Sequence, residues 1–99
     1  MKFFIAERIQ KHLDEKTAAE WLPRHGAFMD KGVEEGAILL AGPKTESEGG
    51  FAVIRAKSKS EAEDYLFEDP MVKAGLQRYE LTEIMPLSCR KQLADWCGE

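Results

Sequence analysis

Three apolar stretches of this chain refuse to alternate. They lie in KFFIAER (Lys2–Arg8), AILLAG (Ala37–Gly42) and FAVIRAK (Phe51–Lys57), each of strand length and rich in branched or aromatic residues. A strand sends successive side chains to opposite faces. A sheet covered on one side only therefore alternates apolar with polar residues. Here Phe3 and Ile5 point one way and Phe4 and Ala6 the other. Ile38 and Leu40 oppose Ala37, Leu39 and Ala41, while Val53 opposes Ala52 and Ile54. Both faces need cover. Helices supply it on one face, and the second needs either the chain's own tail or another copy of the sheet. The second copy is the simpler cover, so the pattern predicts a homodimer with sheets packed face to face.

The helices fall between the strands. Pro23 suits a first helical position and Gly36 the residue just past a helix end, which predicts a helix from about Pro23 to Glu35. Phe28, Met29, Gly32 and Val33 share one face of it. TAAE (Thr17–Glu20) matches a capping box upstream. Ser58 and Ser60 each precede a Glu by three residues, so a second helix starts there, carrying Ala62, Tyr65 and Leu66 inward and ending before Pro70. QRYELTEI (Gln77–Ile84) is a fourth strand. In the tail, SCRKQLADWCGE, the residues Cys89, Leu93, Trp96 and Cys97 stand at helical spacing and predict a short closing helix. The order strand, helix, strand, strand, helix, strand is the α+β, ferredoxin-like βαββαβ pattern with a four-stranded antiparallel sheet.

Size and charge narrow the partners. A chain of 99 residues is one small domain, burying about 60–65% of the surface its unfolded form exposes. A subunit contact would add to that burial. The formal charge of −4 excludes a basic footprint for nucleic acid or an anionic membrane. No apolar run approaches the roughly 20 residues of a membrane span, and MKFFIAERIQ is too short for a signal-peptide core. The expected location is cytoplasmic, where Cys89 and Cys97 stay free thiols. Neither cysteine is spaced to share a metal with His12 or His25.

Chemistry rests on few residues. His25 precedes Phe28 and Met29 by three and four positions, on the inward side of its helix. It fits either a hydrogen-bonded core histidine or a general acid–base, since imidazole titrates near neutrality. A base needs an orienting partner, and a carboxylate is a common one. Asp69, in FEDPMVKAGL, is the candidate, although Asp before Pro is also a complete helix N-cap, with Gly75 as the stop. His12, in the polar connection, is expected to be exposed and idle. Asp30, Glu34 and Glu35 fit a solvated helix face. Tyr79 packs its ring in a strand with its hydroxyl free to reach a pocket. Arg8 and Arg55 suit either an anionic substrate or the rim. No nucleophile motif, dinucleotide fingerprint or phosphate loop is present.

Two motifs together resemble a known family. His25, ten residues, then Gly36-Ala37-Ile38-Leu39-Leu40-Ala41-Gly42-Pro43 is one. The other is Gly49-Gly50-Phe51 and a strand, followed by EAEDYLFEDPMVKAGLQRYEL. These are similar to the YciI-like (YCII-related) family from about Lys2 to Leu87. The resemblance implies a ferredoxin-like domain spanning 1–99, with core 1–87 and a C-terminal extension 88–99, assembled as a dimeric α+β barrel. It implies a His–Asp catalytic dyad in a pocket, at His25 and Asp69 here, and the expected substrate contacts beside them are Arg8, Gly42, Pro43 and Tyr79. The activity it implies is a cofactor-independent, metal-free lyase or isomerase proton transfer on a small organic molecule. A non-catalytic dimeric module that binds a small ligand or a protein is the alternative, and the mutual placement of His25, Asp69 and a cavity discriminates the two.

Overall fold

The antiparallel sheet has the order β2-β3-β1-β4, so the first strand lies inside it. The computed structural model describes residues 1–98. The strands are β1 (Lys2–Gln10), β2 (Ile38–Pro43), β3 (Gly50–Ala56) and β4 (Gln77–Ile84). The helices are α1 (Glu15–Glu34), α2 (Lys59–Phe67), the short α3 (Pro70–Lys73) and α4 (Ala94–Cys97), which follows a single 3₁₀ turn at Lys91–Leu93. β1 pairs with β3 from Lys2↔Ala56 to Arg8↔Gly50, and with β4 from Phe3↔Ile84 to Gln10↔Gln77.

α1 is longer than the sequence predicts. It starts at Glu15, with Asp14 as cap, the Asp14 carboxylate accepting from the Thr17 amide at 2.7 Å. That bond, backed by the Asp14 side chain's contact with the same residue's hydroxyl, pulls the Asp14 pKa below the ordinary carboxylate value. Pro23 therefore sits inside the helix rather than at its start. A mid-helix proline costs the carbonyl four residues back its donor. That carbonyl belongs to Ala19, an exposed residue, where water can take the place of the lost N–H. The capping box at Thr17–Glu20 is thus a first turn already under Asp14's cap.

Glycine ends α1 as expected. Gly36 has φ +83°, and the amides of Gly36 and Ala37 return to the carbonyls of Val33 and Gly32 at 3.1 and 3.0 Å. This is a Schellman closure, which favours glycine at the left-handed position. α2 is capped by Ser58, whose hydroxyl accepts from the Glu61 amide. α3 ends with a second Schellman closure at Gly75, with bonds from Gly75 to Val72 and from Leu76 to Met71.

Phe4, Ala6, Ile38, Ala52 and Ile54 form the sheet's side of the core, against Met29 of α1 and Ala62 and Leu66 of α2. A Cβ on Gly32 would overlap the Tyr65 hydroxyl and Ile38, so this glycine sets how closely α1 approaches its neighbours. Val33, which the spacing places on the same face as Phe28 and Met29, is 47% exposed. In β2 the pairing shifts between Ile38 and Leu40. A bulge adds a residue to one strand and reverses the faces beyond it. Ile38 therefore pairs with Ile54 in the core, while Leu40 pairs with Val53 on the other face, a correction to the simple alternation.

That other face is partly covered by the tail. Trp96 packs on Phe3 with ring centroids 5.4 Å apart, and its indole N–H donates to the Gly36 carbonyl. Arg55 donates to the carbonyls of Gly36 and Trp96 and lies over the Trp96 ring. Its charge thus holds the tail rather than facing an anion. Cys89 precedes the 3₁₀ turn instead of joining a helical stripe. Cys89 and Cys97 are free thiols. The rest of the face is open: Leu40 is 59% exposed, with Phe51 and Ile84 also exposed. Among the described residues no helix is long and apolar enough to cross a membrane.

Candidate active site

The site forms where the middle of α1 meets the start of α3. Asp69 caps α3 with one carboxylate oxygen, Oδ1 accepting from the Met71 amide at 2.9 Å, while Pro70 takes the first helical position. The other oxygen, Oδ2, accepts from three side chains. These are His25 Nδ1 at 2.7 Å, Tyr79 Oη at 2.8 Å and Gln77 Nε2 at 2.9 Å. Asp69 is fully buried. A buried charge is tolerated only when well bonded. Four donors and no acceptor surround it, a set that a carboxylate satisfies. Nδ1 of His25 is then the donor, and Nε2 is the nitrogen left for other work. The 3.4 Å approach of Gln77 Nε2 to the same Nδ1 brings two donors together on one acceptor and is not a further bond.

Tyr79 reaches Asp69 from β4. Burial, reinforced by the negative charge of Asp69 and the bond to it, pushes the Tyr79 pKa far above the usual tyrosine value. Its hydroxyl is held as a neutral donor and is no candidate base. Arg8 lies beside Tyr79 in the sheet register. It is only 7% exposed, and its Nη1 donates to Gln10 Oε1 and, at 3.0 Å, to Gln77 Oε1. The Gln77 amide is therefore oriented at both ends: its oxygen accepts from Arg8 and its nitrogen donates to Asp69. A flipped amide would set donor against donor and acceptor against acceptor.

These groups border a cavity of about 360 Å³. Arg8, His25, Met29 and Tyr79 line it from the core side, Leu22 and Asp30 from α1, and Ala41, Gly42, Pro43 and Phe51 from the β2–β3 edge. Of the six residues singled out from sequence, five line the cavity, and Asp69 sits behind the wall, bonded to His25 and Tyr79. His12 lies elsewhere, exposed, with Nδ1 2.6 Å from Glu48. Asp30, read as solvated helix surface, also reaches the wall.

The sequence reading missed Gln77. Its signals were its place in the second motif and parity, since it stands two residues before Tyr79 and so shares that face of β4.

The fold and these side chains define a class: a ferredoxin-like α+β domain with a small cavity walled by an imidazole and a guanidinium. The profile of the YCII-related domain matches residues 1–87, and the chain belongs to that family. Among solved structures it resembles the 5-chloro-2-hydroxyhydroquinone dehydrochlorinase of Burkholderia phenoliruptrix AC1100, in complex with 2,5-dihydroxybenzoquinone. The TM-score is 0.67 at 20% identity, over 81% of this chain and 90% of that one. It also resembles a muconolactone isomerase, with TM-score 0.72 at 14% identity, over 90% of this chain and 96% of that one. At such identities the likeness is one of fold. No curated protein sequence matches the chain.

Proposed function

We propose that the chain is a lyase- or isomerase-type enzyme in which His25 moves a proton to or from a small cyclic substrate, without a cofactor. The observation that carries this is the 2.7 Å bond between His25 Nδ1 and the buried Asp69, on an imidazole whose ring lines the cavity. Asp69 fixes one tautomer and stabilises the imidazolium that forms when Nε2 takes a proton. Nε2 would remove a proton from carbon beside a carbonyl. The electron pair left behind either expels a leaving group, giving elimination, or is reprotonated at another carbon by the same imidazolium, giving isomerisation. Tyr79 and Gln77 stay bonded to Asp69 and hold its orientation throughout. Such acid–base help contributes on the order of 10²–10⁴ in rate, which suits an activated ring. The two structural relatives act on rings of that kind by their names, which supports the reading.

The same proposal places a second copy on the open sheet face, where Leu40, Phe51 and Ile84 are exposed together with half-buried Ile5 and Val53. A homodimer buries them. The test is a screen of small phenols, quinones and lactones for turnover, with wild type set against His25→Ala. The variant is expected to lose at least about 10²-fold in kcat while eluting as the same dimer in size-exclusion chromatography. Turnover that survives the change removes His25 from the mechanism.

A further inference from the structure

The buried cation in this site touches no carboxylate among the described residues. Among the described residues no carboxylate forms an ion pair with Arg8; the paired carboxylates go to other partners. Asp69 is separated from it by the Gln77 side chain and already meets four donors. Burying a guanidinium without a counter-charge is unfavourable, yet the chain holds this one in place with two amide oxygens. Both bonds use Nη1, and a guanidinium has five N–H donors in a planar fork. Nη2 lies over Gly50, where a Cβ would stand 3.1 Å from it and would also overlap the Gly42 carbonyl. The missing side chain at Gly50 lets the backbone pack close to the fork, beside the Gly42–Pro43 wall of the cavity.

We propose that Arg8 is an anion subsite of this cavity and that the substrate acted on by His25 carries a carboxylate. The inference rests on the proton-transfer reading and names its substrate class. A planar, singly charged group fits one fork and one positive charge; a phosphate dianion finds no second cation on the cavity wall among the described residues. Gln77 sets the spacing. One amide separates the guanidinium from the His25–Asp69 pair, so the carboxylate and the reacting carbon belong to one ring-sized molecule. Charge-assisted, bidentate binding at Arg8 would fix the ring's orientation before the proton moves.

The test uses matched one-ring probes that differ in a single group, such as salicylate against salicylamide and gentisate against its amide. Binding to wild type, Arg8→Met and His25→Ala is measured by calorimetry. In wild type the carboxylates are expected to bind at least about thirtyfold more tightly than the amides. Arg8→Met should abolish that preference, and His25→Ala should keep it. Should Arg8→Met not fold, the side-chain ¹⁵N resonance of Arg8 in wild type, assigned with Arg8→Lys, decides: it should shift with salicylate and not with salicylamide. The proposal is overturned if the amides bind as well as the acids, if the preference survives Arg8→Met, or if no carboxylate in the set binds or moves the Arg8 resonance. Turnover retained by His25→Ala alongside an intact carboxylate preference would sink the proton-transfer reading and leave the subsite standing.

Discussion

Both histidines of the chain meet a carboxylate through Nδ1, at almost the same distance. His12 is 2.6 Å from Glu48 and His25 is 2.7 Å from Asp69. The surroundings share nothing. The His12 side chain is 84% exposed and joins the connection after β1 to the loop before β3; the His25 side chain is 12% exposed and its partner is fully buried. In water, two unit charges 4 Å apart gain about 1 kcal/mol, and fixing two mobile side chains offsets much of it. In the buried pair the side chains are already held by packing and by the further donors on Asp69. Length alone therefore says little about what a histidine–carboxylate pair can do. The difference lies in what the carboxylate is bonded to on its other side and in whether the free imidazole nitrogen faces a cavity.

Three substitutions probe that contrast. Asp69→Asn should have the largest effect, because an amide offers one acceptor oxygen where four donors converge. A loss of about 3 kcal/mol in unfolding free energy, together with loss of turnover, is expected from denaturant titration and from kcat. A cost no greater than that of disrupting the surface pair would erase the distinction.

Tyr79→Phe comes next, removing one donor to Oδ2 at a cost of about 1 kcal/mol near neutral pH. It also has a pH signature. The folded-state pKa of Tyr79 is raised, so its contribution is complete below the unfolded value of about 10 and is lost as pH rises above it toward the folded value. Wild type should therefore lose stability more steeply above pH 10 than the variant, in urea melts taken across that range.

The smallest effect belongs to His12→Ala. It should change stability by less than about 0.5 kcal/mol and leave kcat as it was. A larger loss would mean that the exposed pair anchors the loop before β3 more firmly than its exposure suggests.

Much of the fold was legible because its signals are local. Gly36 and Gly75 stop helices by a backbone conformation that other residues resist, and Ser58 caps α2 by its own hydroxyl. The apolar strands announced a sheet apolar on both faces, of which one packs in the core and the other is only partly covered by the tail. The start of α1 was misread because Pro23 is a strong local cue, and nothing local says that Ala19's carbonyl will be solvent-side. The reversal of Leu40 depends on a bulge, which is a property of the β2–β3 pairing and not of AILLAG alone. Arg55 was ambiguous for a related reason: its partners are carbonyls of Gly36 and Trp96, 19 and 41 residues away in sequence.

The site shows the same division. His25, Asp69 and Tyr79 were marked by residue type and by motif, and Arg8 by residue type alone. Gln77 stands in the same motif as Asp69 and Tyr79 but was not singled out, since a glutamine at a strand start is ordinary. Its role comes from the register that sets Gln10 opposite Gln77 and Arg8 opposite Tyr79, a long-range pairing that spacing along the chain does not display.

Asp69 divides its two oxygens between a backbone amide and an imidazole. The turn that presents it contains four helical residues, too few to persist without its cap. Opening that turn frees the Met71 amide hydrogen to trade with solvent and removes the one backbone donor that holds the carboxylate behind the His25 ring. The protection of one backbone hydrogen therefore reports on one of the four bonds that align the imidazole's partner, the other three coming from His25, Tyr79 and Gln77.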